Sequence, residues 1–255
     1  MLSQPIRIRD GVLQTPIYEL THPDTGSNVD FVGMIHIGQQ SYYDAVTDYV
    51  EAREEEGSVV HYEMIDRASS EEADAYPAEA ELATRLSKIS GLVDLLSGGL
   101  DVVHQKDGLR YPPHWQNHDI SIIEYIQRLG PEYIQRRIEG HDKLQESRDQ
   151  LSPEAFDRIV RGIFRALPLV STVGTMLESR GSNKTVVKYR NAVAIQAVAD
   201  VIAVKPEQDI TMIWGAGHAP GVLRGLGRLG YEKTNKFWLN ALPLQRPVAK
   251  PQVAL

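Results

Sequence analysis

The sequence predicts an α/β fold with an open mixed sheet, flanking helices and an inserted helical subdomain. Two β-α-β patterns carry this prediction, one near the start of the 255-residue chain and one near its end, and a long helical stretch separates them. Strands that alternate with helices are typical of a sheet with helices packed on its faces. We therefore expect one domain over 1–242, with a helical insertion over about 78–203, and a flexible tail over 243–255.

Composition excludes several classes of protein. The sequence contains no cysteine, which rules out disulfide scaffolds, thiolate metal sites and cysteine nucleophiles. Its 34 acidic and 27 basic residues give a net charge of −7, and this argues against a general nucleic-acid binder, which must neutralise phosphates. No stretch reaches the roughly 18 to 20 apolar residues of a membrane span, and the first residues do not form a signal peptide. We expect a cytoplasmic protein that binds neither membrane nor nucleic acid.

The first β-α-β pattern begins with two β-prone runs, 12–20 and 29–35, and the turn-forming residues between them predict a hairpin. Apolar residues then recur at helical spacing over 42–56, and we expect Gly57 to end this helix. The apolar residues of 58–65 predict a buried strand. A helix and a strand therefore follow the hairpin.

The middle third of the chain has a mainly helical pattern. Helices are expected near 80–90, 121–129, 132–148, 153–166 and 184–203. Ser121 and Glu124 form a capping box at one of the helix starts. The second β-α-β pattern then follows, with a buried strand over 209–214, a helix over 220–229 and a final strand over 231–239.

Three polar side chains fall near the carboxyl ends of predicted strands. They are His36, Glu63 and His218. In open α/β sheets, ligands bind at this edge, where the strand order reverses. Gly33 and Gly215 each come three residues before a histidine, and a residue without Cβ lets a ligand or a neighbouring strand approach closely. We expect the three side chains to meet there.

Two imidazoles and a carboxylate that converge are the ligand set of many catalytic metal sites. A bound metal lowers the pKa of its water towards about 7, which makes hydroxide available at neutral pH. Manganese, cobalt and zinc all suit two nitrogen ligands and oxygen ligands. The sequence leaves two roles open for Glu63, as a metal ligand or as the general base.

Each of these residues also has a structural interpretation. A histidine at a strand end, such as His36 or His218, is often only a hydrogen-bonded structural residue. Glu63 lies in an otherwise apolar strand, where an unpaired carboxylate is costly, and a buried ion pair with Arg190 is its structural alternative. His61 shares a strand face with Glu63, and it either supports the site from behind or is a further ligand.

Weaker patterns add further candidates. Tyr43 follows the first histidine and either lines a pocket or packs in the core. His118 lies in a predicted loop as a supporting or a solvated residue, and Asp119 beside it either supports the site or caps the following helix. Arg190 and Asn191 begin an apolar helical run, where they are either solvated or form an inward anion clamp.

Four short motifs of the sequence resemble those of a known family. Gly33-Met34-Ile35-His36 and Gly215-Ala216-Gly217-His218 resemble the paired Gly-x-x-His motifs of the TraB, GumN and Tiki proteins. The glutamate of Val59-Val60-His61-Tyr62-Glu63 matches the strand glutamate of that family, and Tyr189-Arg190-Asn191 resembles its arginine-containing helix start. The order along the chain agrees, and the resemblance runs over 31–231. It implies an α/β fold related to the haem-binding ChaN and erythromycin-esterase-like proteins and, as in Tiki members, a metal-dependent peptidase activity.

The leading hypothesis is a soluble metal-dependent hydrolase that acts on a peptide bond, with His36, Glu63 and His218 around the metal or its water. Arg190 would steady the carboxylate or the developing oxyanion, and Asn191 would support it. A second hypothesis is a protein that binds a peptide or a haem-like ligand in the same pocket without chemistry. A third is a structural or regulatory α/β domain. The sequence assigns neither the oligomeric state nor the substrate, which is a peptide or another small molecule.

Overall fold

The chain has the predicted α/β architecture, in which a mixed sheet lies between helices. A computed structural model describes residues 4–87, 102–177 and 182–244. Its strands are β1 (Arg7–Arg9), β2 (Val12–Thr21), β3 (Asn28–Met34), β4 (Ile37–Gly38), β5 (Val59–Tyr62), β6 (Val103–His104), β7 (Gln116–Asn117), β8 (Ile210–Gly215) and β9 (Glu232–Pro243). Its helices are α1 (Gln40–Glu55), α2 (Ser70–Ala75), α3 (Pro77–Ser87), α4 (Gln105–Gly108), α5 (Ile122–Leu129), α6 (Pro131–Asp149), α7 (Pro153–Leu177), α8 (Ser182–Val204) and α9 (Ala219–Arg228), with a 3₁₀ turn Ala216–His218 before α9. Within these described ranges, no helix combines the length and the apolar character needed to cross a membrane.

The main sheet has the strand order β1-β2-β3-β8-β5-β7, and β9 pairs with β2. The predicted hairpin is present as β2 and β3, with Ile17 opposite Val32. β3, β8, β5 and β7 run parallel, so their carboxyl ends meet at one edge of the sheet, which we name the carboxyl edge. β8 lies between β3 and β5, and its residues from Ile210 to Trp214 are all buried, as a central parallel strand requires.

Helices bury both faces of the sheet. α8 and α9 cover one face, where Ala194 and Val222 share a buried apolar cluster with Met212 of β8. α1 covers the other face, where Val46 shares a second cluster with Ile213. Because successive residues of β8 point to opposite faces, this strand is fixed from both sides. The layers therefore hold the carboxyl edge in place.

The stretch predicted as a helical insertion, 78–203, is mainly helical in its described part, but it is not separate from the sheet. α3, α5 and α6 pack around their own apolar cluster, which includes Ile126 and Ile134. In contrast, β7 pairs with β5, and α8 packs on the face of the sheet. The prediction therefore needs correction in extent, because two parts of that stretch complete the main layers. The predicted helix near 80–90 ends at Ser87 in the described chain, and its last residues lie outside it.

Two predicted boundaries differ from the structure. β5 ends at Tyr62 and not at 65, so Glu63 follows the strand instead of lying in it. β9 continues to Pro243, because its pairing with β2 extends that far, and Leu244 is buried and donates its backbone N–H to Gly11 O at 2.7 Å. The predicted tail over 243–255 thus begins too early by at least two residues, and 245–255 lie outside the described residues.

Candidate functional site

The candidate site lies at the carboxyl edge, where β3, β8 and β5 end beside one another. Met34 at the end of β3 pairs with Gly215 at the end of β8, and Tyr62 of β5 pairs with Ile213. Glu63 extends this pairing, because its backbone N–H donates to Ile213 O at 3.0 Å. The ladder therefore places Glu63 next to the turn that follows β8.

Glu63 is the centre of the site, and its side chain is only 10% exposed. Its Oε1 accepts a hydrogen bond from Arg190 Nη2 and lies 3.2 Å from His218 Nε2, while Oε2 accepts the backbone N–H of Gly215 at 2.6 Å. Burial alone would raise the pKa of Glu63, but the charges of His218 and Arg190 and the Gly215 N–H outweigh it and lower this pKa to about 2. The ion pair with Arg190 is present, and it keeps the carboxylate ionised.

A second carboxylate holds Arg190. Its Nε donates to Asp119 Oδ1 at 2.8 Å and its Nη2 to Asp119 Oδ2 at 2.5 Å, and the Asp119 side chain is 1% exposed. Asp119 does not cap the following helix, because Ser121 occupies that position and accepts the backbone N–H of Glu124. Asp119, Arg190 and Glu63 therefore form a buried row in which one guanidinium serves two carboxylates.

His218 ends the 3₁₀ turn, and Asn191 of α8 orients its ring. His218 Nδ1 lies 2.6 Å from Asn191 Oδ1, and because an amide oxygen can only accept, Nδ1 donates to it. Nε2 lies 3.2 Å from the ionised carboxylate of Glu63, which also can only accept, so both ring nitrogens donate. Both residues are buried. Gly221 of α9 makes room for this contact, because a Cβ there would overlap the amide nitrogen of Asn191. No sequence pattern singled out Gly221, although it lies three residues after His218.

His36 lies outside this group. Its side chain is exposed, its Nδ1 is 3.2 Å from Gln105 Oε1, and its ring is stacked on His104 with 6.4 Å between centroids. Gln105 also donates to the Tyr111 hydroxyl at 2.9 Å. Burial, with a contribution from the Glu63 charge, raises the pKa of Tyr111 to about 12, which places this hydroxyl within electrostatic range of the site. Gln105 and Tyr111 were missed because they lie in a segment without a periodic pattern.

His61 and His118 contact each other, with 4.2 Å between ring centroids. His61 is 0% exposed, and neither of its ring nitrogens has a hydrogen-bond partner in the described chain. Burial and the neighbouring His118 lower the pKa of His61 to about 3, so the ring is neutral at pH 7. Among the described residues, neither ring hydrogen-bonds to Glu63 or His218. The two histidines therefore form a separate pair beside the site.

The other predicted residues mainly have packing roles. Tyr43 is fully buried in α1 and donates its hydroxyl to a backbone carbonyl at 3.1 Å, so it packs in the core. A Cβ on Gly215 would lie 3.3 Å from the site carboxylate, which confirms a close approach there. A Cβ on Gly33 would instead lie 2.9 Å from the backbone of β2, and Gly217 has open space around it.

The donor atoms fit a metal ion in part. Glu63 Oε1 and His218 Nε2 lie 3.2 Å apart, and two donors of a tetrahedral zinc ion, bound at about 2.0 to 2.1 Å, lie roughly 3.3 Å apart. The hydrogen bond from His218 Nδ1 to Asn191 is the kind of support that metal-binding imidazoles have. The third expected donor, His36, is not with them. Within 4–87, 102–177 and 182–244, no three His, Asp or Glu side chains are grouped to hold one ion.

The site thus presents an ionised carboxylate and an imidazole nitrogen at one point, each held from behind by a buried partner. Such a pair can bind a cation or hold a polarised water. Arg190 uses Nε and Nη2 in the buried row and has no described partner at Nη1, which leaves one cationic donor for a ligand.

Comparison of the chain with known protein families, curated proteins and solved structures gives no significant match.

Proposed function

We propose that this protein is a metal-dependent hydrolase whose reaction takes place at the carboxyl edge between Glu63 and His218. The 3.2 Å contact between Glu63 Oε1 and His218 Nε2 carries the proposal. Both side chains are about nine-tenths buried and are held by dedicated partners. Burial of an ionisable side chain costs free energy unless an opposite charge or a hydrogen bond compensates it. Buried carboxylates with a shifted pKa, such as Glu63, cluster at functional sites.

Glu63 and His218 would hold the ion, and His36 would be the third ligand. His36 follows β3, the strand next to β8, so it lies at the same edge, and its exposed ring would have to turn away from Gln105. Manganese, cobalt or zinc bound there would supply a water with a pKa lowered towards about 7. The ligand role suits Glu63 better than the role of general base, because a carboxylate with a pKa of about 2 accepts a proton poorly at neutral pH.

Arg190 would contact the substrate, and Asn191 positions the imidazole of His218. Arg190 Nη1 would donate to the oxyanion that develops on the attacked carbonyl group, while its Nε and Nη2 stay on Asp119. Asn191 keeps the proton on Nδ1 of His218, so Nε2, which donates to Glu63 in the absence of an ion, is the nitrogen that would lose its proton and bind the ion. The substrate is a peptide or another small molecule with a hydrolysable acyl bond, and the peptide assignment comes from the family resemblance.

Metal binding tests the proposal without assuming a substrate. The chelator-treated protein is titrated with Mn²⁺, Co²⁺ and Zn²⁺ by calorimetry, and we expect one site per chain. Glu63→Gln and His218→Ala should each lose it, and His36→Ala should weaken it at least tenfold. His114→Ala, which removes an imidazole that is 67% exposed, is the matched control and should bind normally. Equal binding by the Glu63 and His218 variants would refute the proposal.

Hydrolysis is tested separately, with a peptide library incubated with and without chelator. We expect cleavage with the bound metal, its loss on chelation and its loss in Glu63→Gln. The strongest competing function is a non-catalytic binding protein. It is favoured because Arg190 and His218 already contact the Glu63 carboxylate and leave only 10% of its side chain exposed. Stoichiometric metal binding with no cleavage of any peptide would favour that function over the hydrolase.

A further inference from the structure

A shallow cleft, wide open to solvent, runs along the outer face of α8 beside the candidate site, and Ala192, Gln196 and Asp200 in it are exposed. It has a volume of about 410 Å³, and its lining residues are His118, Tyr189, Ala192, Val193, Gln196, Ala197 and Asp200. The α8 residues share one helix face, because they are spaced by three and four positions. Tyr189 and His118 directly precede Arg190 and Asp119 in the chain, so the cleft lies beside the buried row, although no residue of the row lines it.

The cleft borders on the least satisfied polar group of the described chain. His118 lines the cleft and covers His61, whose two ring nitrogens are buried without hydrogen-bond partners. A neutral imidazole has one donor and one acceptor, and native proteins almost always satisfy such buried atoms. The packing of the sheet does not explain why a histidine is placed here, since an apolar side chain would fill the space at no such cost.

His118 can turn away from His61 without a change of the backbone. Its backbone N–H donates to Tyr62 O at 3.0 Å, which fixes the chain. Among the described residues, its ring packs on His61 and has one hydrogen bond, a 3.3 Å contact from Nε2 to Gln116 Oε1. The ring is half-buried and borders on open cleft space. Rotation of this one side chain would therefore join the cleft to His61.

We propose that the cleft binds an aromatic group that carries a hydroxyl, and that this group displaces the His118 ring and hydrogen-bonds to His61. The small side chains of Ala192 and Ala197 leave room for a flat group, and the Tyr189 ring offers it an aromatic contact. A hydroxyl can either donate or accept, so it can pair with whichever ring nitrogen of His61 faces the cleft, in either tautomer of the imidazole. The inference rests on the proposed function in that the aromatic group is part of the substrate, next to the bond that is hydrolysed.

Binding without turnover tests the cleft, using the full chain in chelator. N-acetyltyrosine amide and N-acetylphenylalanine amide are titrated in parallel and followed by NMR. We expect the tyrosine compound to bind at least fivefold more tightly. Ala192→Trp, which fills the cleft, should weaken both compounds at least tenfold, whereas Ala203→Trp, an exposed position of α8 that does not line the cleft, should change neither.

His61→Leu separates the hydrogen bond from the shape of the cleft. This variant should bind both compounds equally, and His118→Ala should bind the tyrosine compound more tightly than wild type because the covering ring is gone. A tyrosine preference that persists in His61→Leu, or equal binding by Ala192→Trp, would overturn the inference. Tyrosine-selective binding without any metal binding would leave the cleft standing and remove the hydrolase proposal. Metal-dependent cleavage without tyrosine-selective binding would support the hydrolase proposal and overturn the inference about the cleft.

Discussion

We expect His61→Leu to stabilise the protein at pH 7. Both ring nitrogens of His61 are buried and unpaired in the described chain, and an unmade hydrogen bond at a buried polar atom costs about 1 to 3 kcal/mol. Leucine is close to histidine in volume and carries no polar atom, so the substitution removes this cost and keeps most of the packing. Allowing for imperfect repacking, the free energy of unfolding should rise by about 1 to 3 kcal/mol.

The gain should increase as the pH falls. Burial and His118 lower the pKa of folded His61 from its ordinary 6.5 to about 3. Below pH 6.5 the unfolded chain therefore binds a proton that the folded chain does not, so wild type loses stability on acidification. Between pH 7 and pH 5 this loss amounts to about 2 kcal/mol. The figure depends mainly on the unfolded pKa, because the folded value lies well below pH 5.

Urea unfolding of wild type and His61→Leu at pH 7, 6 and 5, in chelator, measures both effects. His114→Leu is the matched control, because it removes an imidazole whose side chain is 67% exposed. A His61→Leu variant that is less stable than wild type at pH 7 would show that the imidazole has a bound partner, such as a buried water. A difference between the two proteins that stays constant from pH 7 to pH 5 would refute the burial argument.

Three further substitutions test the network at the carboxyl edge, and a fourth, Gly227→Ala, is a control. Glu63→Gln should lower the free energy of unfolding by about 3 kcal/mol at pH 7 and by only about 1 kcal/mol at pH 3. The reason is that the Glu63 pKa falls from 4.5 to about 2 on folding, so the stability that the ionised carboxylate contributes is lost as the pH drops. Urea unfolding at the two pH values measures this difference. Arg190→Met leaves two buried carboxylates, Glu63 and Asp119, without their shared cation and should cost at least about 3 to 5 kcal/mol in the same measurement. Gly221→Ala should cost about 1 to 3 kcal/mol, because the added Cβ meets Asn191. Gly227→Ala, in the same helix with open space around it, should instead gain up to about 1 kcal/mol by thermal unfolding.

The sequence alone was sufficient to predict that the fold is a sheet with helices packed on its faces. Alternation of strands and helices predicted the sheet, and the hairpin of β2 and β3 and the strand β8 were found where the pattern placed them. Periodicity reports burial, so it works for elements that face the core. It could not find β7, which has two residues and is held in the sheet only by its pairing with β5. It could not end the helical insertion correctly either, because α8 packs against both the sheet and the helical cluster.

For the candidate site, the sequence predicted only part of the group that meets. Glu63 and His218 lie together as their strand-end positions predicted, whereas His36 does not join them. Arg190 and Asn191 contact this pair, and Asp119 was among the weaker candidates. The contact of Asp119 with Arg190 spans 71 positions in the chain, and no spacing rule predicts such a contact. The prediction that His36 joins them directly depends on side-chain rotation, which a strand-end position does not determine.

If the proposed ion binds at Glu63, the buried row would let the site exist with and without it. When no ion is present, Arg190 compensates the charge of Glu63. A divalent ion at Glu63 Oε1 would meet the guanidinium at close range, and this repulsion is strong where water is excluded. Asp119 is 1% exposed and accepts from both Nε and Nη2 of Arg190, so the guanidinium remains paired when Nη2 gives up Glu63. In the proposed hydrolase, Asp119 would thereby set the free-energy cost of loading the ion without touching it, and Arg190 would change partners without moving into solvent.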